Sequence, residues 1–191
     1  MIHVCVDEDE VEYYNIYYND NKKEEIKNTY INENDKVLKI NIIINYQVTS
    51  FYGLFYECEC IESINFKKFY RNNITDIYGM FSRCSSLREL NLNNFNTDNI
   101  TSMSFMFYGC SSLRELNLNN YNTDKVTNMS FMLSRCSSLK ELNLNNFNTN
   151  NVTNMRWMFG DCSDELKLKI QSKYKNFKEE AYKDISLLNI S

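Results

Sequence analysis

The sequence predicts an α/β repeat solenoid in which each 26-residue coil contributes one short strand and one short helix. Cysteines recur every 26 residues, at Cys58, Cys84, Cys110, Cys136 and Cys162. A fixed period of this length is typical of solenoids built from stacked coils. Leucines stand three, six and eight positions after the cysteine in three of the copies. Each coil therefore sends the same side chains into a shared core.

The apolar spacing within a copy changes, and the change locates the predicted elements. Leu90 and Leu92 alternate with polar residues, which indicates a strand. Met103 is followed by apolar residues three and four positions on, Met106 and Phe107, which indicates a short helix. The residues that join them are rich in Asn and Asp, which tolerate tight turns.

The solenoid is predicted to span residues 48–163, after an N-terminal β-rich cap at residues 1–47. The cap contains three β-prone runs separated by turn sequences, at Val11–Tyr18, Glu25–Ile31 and Val37–Ile44. A β-meander that covers the first coil is therefore predicted.

Residues 164–191 are predicted to form a C-terminal amphipathic capping helix. Ser163 is the predicted N-cap, and apolar residues recur at helical spacing from Leu166 to Ile185. A cap is needed because a terminal coil would otherwise expose its apolar face. The opposite face of this helix is rich in Lys, so a membrane-surface helix is the alternative interpretation.

The stretch from Cys84 to Leu113 carries a resemblance to a known family. It reads CSSLRELNLNNFNTDNITSMSFMFYGCSSL, with an LxxLxL core, an FNT turn and a segment that ends in MF-x-x-C. It resembles the BspA-like leucine-rich repeats, the 26-residue type of bacterial and protist surface proteins, over about Val48 to Cys162. The resemblance implies a curved leucine-rich solenoid that binds other macromolecules, often as an adhesin. It implies no chemistry.

The cysteine ladder is predicted to consist of reduced, buried thiols. Parallel side chains in a stack lack the crossed geometry that a disulfide requires. A straight row of thiols also cannot converge on one point, as a tetrahedral zinc site demands. The cysteines are therefore expected to serve as small core residues.

Composition and motifs argue against catalysis and against nucleic acid as a partner. The net charge is −4 and no basic stripe is present, so nucleic-acid binding is not expected. No phosphate-binding glycine motif occurs. The single histidine, His3, lies near the N-terminus, and any Cys–His or Ser–His pair would depend on it. No catalytic residue, metal site or cofactor is predicted.

Two surfaces are predicted to bind a partner, and the first is the exposed side of the strands. The residues that alternate with the leucines point away from the core. They form columns of identical residues, namely Glu89, Glu115 and Glu141, and Asn91, Asn117 and Asn143. This uniformity fits either a flat face for an extended partner or recently duplicated copies that have not diverged.

The second predicted surface lies on the helix side. If Met103, Met106 and Phe107 face inward, Phe105 points away from the core at about 100° per residue. Phe131 and Trp157 are its equivalents in the next two copies. Aromatic residues are enriched in contact surfaces. The alternative is that these three rings pack on one another or under the terminal helix.

The predicted function is that of a non-enzymatic leucine-rich repeat protein acting as a protein–protein interaction module. A cell-surface adhesin is the alternative that the resemblance implies, and an enzyme with an unrecognised site is the third hypothesis. No export signal follows Met1, and no run approaches the roughly 20 apolar residues of a membrane helix. The expected location is therefore the cytoplasm, with the cell surface as the alternative. A membrane partner is not expected, and self-association stays open.

Overall fold

The N-terminal strands form two antiparallel pairs. The computed structural model describes residues 2–3, 14–18, 30–31, 40–45, 48–66, 72–93 and 95–185. The strands are β1 (Ile2–His3), β2 (Tyr14–Tyr18), β3 (Tyr30–Ile31) and β4 (Ile40–Ile44). The predicted meander is wrong in its order, because β2 pairs with β4 and β1 pairs with β3. Pairing β2 with β4 places Tyr14 opposite Ile44, and both contact the core of the repeats.

Successive repeats contribute short parallel strands, as the leucine alternation predicts. These strands are β5 (Ser63–Asn65), β6 (Glu89–Asn91), β7 (Glu115–Asn117) and β8 (Glu141–Asn143). β5 pairs with β6, and β7 pairs with β8, with residues 26 apart in register. In β7 the side chain of Leu116 is buried while its two neighbours are exposed. The repeats are thus stacked in parallel, one copy above the next.

The segment before each ladder cysteine forms a series of turns, so the predicted short helix is wrong. We call the stretches 50–57, 76–83, 102–109, 128–135 and 154–161 the turn segments. Within each segment, alternate backbone N–H groups donate to the carbonyl three residues back. In the first four segments, most of the other N–H groups donate to the next repeat, as when the Phe105 N–H donates to the Ser130 carbonyl at 3.1 Å. Bonding between repeats therefore replaces the local bonds of an α-helix.

Each turn segment has positive φ at the same two places. The residues are Gly53, Glu57, Gly79, Arg83, Phe105, Gly109, Phe131, Arg135, Trp157 and Asp161. The chain contains four glycines, and all of them lie in these segments. Glycine disfavours a helix by about 1 kcal/mol relative to alanine. The glycines within these segments were therefore the sequence signal against the predicted helix.

The ladder cysteines line the core and hydrogen-bond to the preceding repeat. The Sγ–H groups of Cys84, Cys110, Cys136 and Cys162 donate to backbone carbonyls at 3.0 to 3.1 Å. Burial raises the pKa of Cys110 and the pKa of Cys162 to about 12. Both thiols therefore stay protonated at neutral pH and are poor nucleophiles. Cys110, Cys136 and Cys162 form no disulfide, and no cluster of potential metal ligands occurs in the described part of the chain.

Among the buried side-chain hydroxyls of the described repeats, that of Tyr121 has no hydrogen-bond partner. Its side chain is 2 % exposed, and Phe95 and Phe147 occupy the equivalent positions. Burial raises the pKa of this phenol above its ordinary value. An unsatisfied buried polar group destabilises a fold by about 1–3 kcal/mol.

Replacing Tyr121 with Phe is therefore expected to raise the free energy of unfolding by about 1 kcal/mol. Denaturant titration measures this change. Tyr174→Phe is the matched control, because the Tyr174 hydroxyl accepts the Leu144 N–H at 3.0 Å and donates to Asn145 Oδ1 at 3.1 Å. The control should lose stability. A loss at Tyr121 as well would contradict the assignment of an unsatisfied hydroxyl.

The C-terminal helix α1 spans Asp164–Lys173. Its predicted N-cap is confirmed, since Ser163 Oγ accepts the Leu166 N–H at 3.3 Å. Leu166 and Ile170 are each 2 % exposed, so the apolar side of α1 packs on the core. No helix in the described ranges is long and apolar enough to cross a membrane.

The helix predicted for residues 164–191 is wrong beyond Lys173, where α1 ends and Tyr174 is extended, and residues 186–191 lie outside the described part of the chain. A short 3-10 helix follows at Glu179–Ala181. The Glu180 carbonyl accepts the Trp157 N–H at 2.9 Å, and the Ala181 carbonyl accepts the Phe159 N–H at 2.8 Å. A continuous α-helix would use these carbonyls for its own bonds. The residues after Lys173 are therefore not α-helical, because their carbonyls accept hydrogen bonds from the last turn segment.

Candidate protein-binding surfaces

Five aromatic side chains stack along one side of the turn segments, and we call them the aromatic ladder. Its members are Tyr52, Tyr78, Phe105, Phe131 and Trp157. Successive ring centroids are 5.0, 5.4, 4.5 and 4.9 Å apart. The surface formed by all five turn segments is the turn face. The ladder runs across every repeat of this face.

Phe105, Phe131 and Trp157 were predicted from the sequence to point outward, whereas Tyr52 and Tyr78 were not predicted. These tyrosines stand one position earlier in their segments, immediately before Gly53 and Gly79. In the later segments the ring belongs to the positive-φ residue itself, as in Phe105. The rings therefore form one continuous row, although in the later segments the ring belongs to the next residue of the turn. The pair Tyr-Gly in place of Ser-Phe was the sequence signal that could have revealed the full ladder.

Phe105, Phe131 and Trp157 hold strained backbone conformations. Their φ angles are +59°, +57° and +55°. Positive φ is a clear outlier for a bulky side chain and costs about 1–2 kcal/mol per residue. Gly53 and Gly79 occupy the same place in the first two segments with φ of +58°. The fold therefore accepts glycine here, and the aromatic residues are not required by the backbone.

The ladder presents ring edges to solvent. The three pairs Tyr52–Tyr78, Phe105–Phe131 and Phe131–Trp157 are stacked with interplanar angles of 8°, 16° and 26°. Tyr52 is 61 % exposed, and the other four rings are half-buried. Proteins that bind bases by stacking need accessible ring faces. Most faces of this ladder are occupied by neighbouring rings, which leaves an apolar strip suited to contact with protein side chains.

Ion pairs flank the ladder and neutralise its surroundings. Arg83 pairs with Glu57 at 2.6 Å, and Arg135 pairs with Asp161 at 3.3 Å. Hydrogen bonds from Tyr56 and Arg83 hold the pKa of Glu57 below its ordinary value. An apolar centre with a polar, charge-balanced rim is the arrangement seen in protein interfaces.

The first predicted surface, which we call the strand face, consists of the exposed side chains of β5–β8. Glu89, Glu115 and Glu141 are exposed as the alternation predicts. They line an open groove of about 980 Å³ together with Arg88, Arg114 and Lys173. Lys169 of α1 pairs with Glu141 at 3.1 Å. The groove of this face is lined by charges of both signs, in contrast to the apolar ladder of the turn face.

The asparagines of the strand face have a structural role. The Oδ1 atoms of Asn91, Asn117 and Asn143 accept backbone N–H groups two residues on, at 3.1, 3.0 and 3.1 Å. Each asparagine thereby holds the turn that follows its strand. Their recurrence is explained by the fold, so they are weaker candidates for partner contact than the glutamates.

Residues 46–178 match the family described as "Mycoplasma protein of unknown function, DUF285". The chain belongs to this family. In this DUF285 protein the matched range contains all five turn segments, strands β5–β8 and helix α1. No curated protein and no solved structure matches the chain. The resemblance to BspA-like repeats stays a prediction.

Proposed function

We propose that this DUF285 protein is a non-enzymatic leucine-rich solenoid that binds a protein partner through the aromatic ladder of its turn face. The observation that carries the proposal is the positive φ of Phe105, Phe131 and Trp157. Strained residues cluster at functional sites, and an observed outlier is a sound starting point for a functional hypothesis.

The energies favour a role for the rings beyond folding. Strain of about 1–2 kcal/mol at each of the three positions opposes a stacking gain of about 0.5–1.5 kcal/mol per ring pair. Glycine at the same place removes the strain, as Gly53 and Gly79 show. The aromatic residues therefore bring little net stability, and their contribution is a continuous apolar surface.

The turn face fits a protein partner better than the strand face does. Interface centres are depleted of charge and enriched in Trp, Phe and Tyr. The ladder meets that description, whereas the groove of the strand face is lined by Glu115, Arg114 and their equivalents. Binding through the ladder should consequently vary little with salt concentration, while binding through the strand face should weaken as salt rises.

Replacing Phe105, Phe131 and Trp157 together with Gly separates folding from binding. The free energy of unfolding should change by less than about 1 kcal/mol per site, because relief of strain offsets the lost stacking. Partner affinity should fall by about 2 kcal/mol or more, since a few large aromatic side chains dominate most interfaces. Thermal melts give the first quantity, and quantitative capture of partners from native cell extract gives the second.

The matched control replaces Glu89, Glu115 and Glu141 with Gln, which alters the strand face and leaves the turn face intact. The proposal requires the same partners to be captured by this control and by the parent. If the control loses those partners while the glycine variant captures them normally, the binding site lies on the strand face instead. Unfolding of the glycine variant would show that the rings belong to the core.

The location of the protein distinguishes the two versions of this proposal. A module that acts in the cytoplasm is the primary version, and an adhesin at the cell surface is the alternative. Protease treatment of intact cells, followed by detection of the chain, decides between them, because only a surface protein would be digested. A requirement for His3 in any activity would favour the enzyme hypothesis, and a His3→Ala variant tests this.

A further inference from the structure

We infer that β6 and β7 form a charge-gated junction in the strand face, which is open in the free protein and closes when positive charge neutralises the carboxylates of Glu89 and Glu115. The junction lies away from the aromatic ladder and goes beyond the function proposed for it. One interruption in the stacked strands reveals it.

The strands of the second and third repeats do not pair with each other. β5 bonds to β6 and β7 bonds to β8, so the four strands form two separate sheets. Between β7 and β8, the Glu141 N–H donates to the Arg114 carbonyl at 3.2 Å. Among the described residues, the equivalent bond from the Glu115 N–H to the Arg88 carbonyl is absent. The strand ladder is therefore broken at one junction in the middle of the stack.

The same two repeats stay joined through their turn segments. The Phe81 N–H donates to the Met106 carbonyl at 2.9 Å. The rings of Phe81 and Phe107 stack at 5.6 Å, the same distance as in the preceding pair of repeats. Nearer the start of the segments, the described chain has no bridge between Asp76 and Ser102, although each of them is bridged to its other neighbour. The two repeats are thus held together in the core and separated at the strands.

Charge explains why this junction is the open one. In the 26-residue register Glu115 lies opposite Glu89, and like charges directly opposite each other destabilise a strand pair. Both side chains are exposed, and neither forms an ion pair within the described ranges. Arg114 likewise lies opposite Arg88, but Arg88 is already paired with Glu62 at 3.4 Å. The two carboxylates are therefore the charges at this junction that nothing neutralises.

The two paired junctions avoid this repulsion. Between β5 and β6, Ser63 lies opposite Glu89. Between β7 and β8, Glu141 lies opposite Glu115, but Lys169 of α1 pairs with Glu141 at 3.1 Å. Hydrogen bonding to Glu141 also raises the pKa of Lys169 above its ordinary value, which keeps the ammonium charged. Strands of this face pair where the row of glutamates is interrupted or neutralised, and they stay apart where it is not.

Closing the junction would reshape the groove of the strand face. The groove is lined by residues 88–90 of the β6 side, 114–117 of the β7 side and 141–143 of the β8 side. Pairing β6 with β7 would bring them to the usual strand spacing of about 4.8 Å and join the four strands into one sheet. A basic side chain brought by a bound molecule would act on Glu89 and Glu115 as Lys169 acts on Glu141. The groove thus changes shape in response to charge.

A series of substitutions at Glu89 tests the gate by hydrogen exchange at the Glu115 amide. Glu89→Gln removes the charge and keeps the shape of the side chain, and Glu89→Lys reverses the charge. Exchange at Glu115 should slow by at least about 10-fold in Glu89→Lys, because closure gives its N–H the Arg88 carbonyl as acceptor. Glu89→Gln should lie between this variant and the parent. Glu89→Asp is the matched control and should behave as the parent, and equal exchange in all four proteins would overturn the gate.

Salt tests the gate without any substitution in the parent chain. Raising the ionic strength from about 0.01 M to 1 M shortens the Debye length from about 30 Å to about 3 Å. In the parent, screening weakens the repulsion between Glu89 and Glu115, so exchange at Glu115 should slow. In Glu89→Lys, screening weakens an attraction, so exchange should quicken. The Glu141 amide is already bonded and serves as the reference in each protein. A change in the same direction in both proteins would overturn the gate.

The gate and the proposed function can fail separately. The triple glycine variant alters the turn face alone and should show the parent's exchange at Glu115. Loss of cellular partners in that variant, together with equal exchange across the Glu89 series, would uphold the role of the ladder and reject the gate. Graded exchange across the series, with partners still captured by the glycine variant, would uphold the gate and reject the ladder as the binding site.

Discussion

Replacing Leu116 with Ala is expected to lower the free energy of unfolding by about 2–5 kcal/mol. Leu116 lies in the central paired strand β7, is 3 % exposed, and pairs in register with Leu142 of β8. Removing its side chain leaves a cavity between repeats that the backbone cannot close, because parallel hydrogen bonds fix the spacing of the strands. Denaturant titration gives the change directly.

Glu115→Ala is the matched control for Leu116→Ala. Glu115 is the preceding residue of the same strand and its side chain is exposed. The control should change stability by no more than about 0.5 kcal/mol. Similar losses for the two variants would mean that the strand faces the core in the opposite sense. Asn117→Ala is less suitable as a control, since Asn117 Oδ1 accepts the Asn119 N–H at 3.0 Å.

Replacing Gly160 with Ser is expected to detach residues 174–185, the C-terminal cap, from the last turn segment. A Cβ at Gly160 would lie 2.9 Å from the Lys183 carbonyl oxygen, closer than real contacts allow. Ser82 and Ser134 occupy the equivalent positions in earlier segments, so the turn itself accepts serine. At position 160, serine is excluded by the contact with the C-terminal cap.

The expected result of Gly160→Ser is faster hydrogen exchange at the amides whose hydrogen-bond acceptors belong to the cap. The Trp157 and Phe159 N–H groups donate to cap carbonyls at 2.9 and 2.8 Å. Hydrogen exchange at both amides should accelerate by about 100-fold, equivalent to about 2.7 kcal/mol. Light scattering should also show association, because the uncapped end of the stack exposes apolar side chains. Unchanged exchange at both amides would show that the cap is not held there.

Acid should loosen the same cap through Asp184. Burial opposes ionisation of this carboxyl, but hydrogen bonds from the Lys167 ammonium and the Asp161 N–H outweigh it, and the pKa of Asp184 lies below its ordinary value. A lowered pKa means that ionised Asp184 stabilises the fold above the ordinary Asp value of about 3.9. This contribution is lost as the pH falls through the lower pKa of the folded state. Exchange at Asp161 should therefore accelerate below about pH 4, whereas Asp184→Asn should abolish that dependence.

The stacking of the repeats was predictable from the sequence because it rests on a repeated local pattern. Leu90, Leu116 and Leu142 recur every 26 residues, and the strands that carry the last two pair in that register. The start of α1 was also predictable, since Ser163 followed by Asp164 and Glu165 is a local capping signal. Both features depend on residues close to one another in the chain or on an exact repeat.

The predicted helix failed because spacing alone does not distinguish a helix from a series of turns. Met103, Met106 and Phe107 are buried in the structure, as a helix would require. The same side chains point inward when alternate N–H groups donate to the next repeat, 25 residues on. That choice depends on a neighbouring repeat being present to accept the bonds. The helix after Lys173 failed for the same reason, because its residues serve as acceptors for the last segment.

The sequence by itself determined the 26-residue period, the inward columns of Leu and Met, the outward Glu column and the N-cap of α1. Only the tertiary structure decided that the turn segments bond between repeats, that β2 pairs with β4, and that Tyr52 and Tyr78 join Phe105, Phe131 and Trp157 in one ladder. The physical reason is that burial and backbone hydrogen bonding constrain the chain in different ways. Side-chain burial follows a periodic pattern along the chain, whereas backbone groups take whichever partners the stacked neighbours offer.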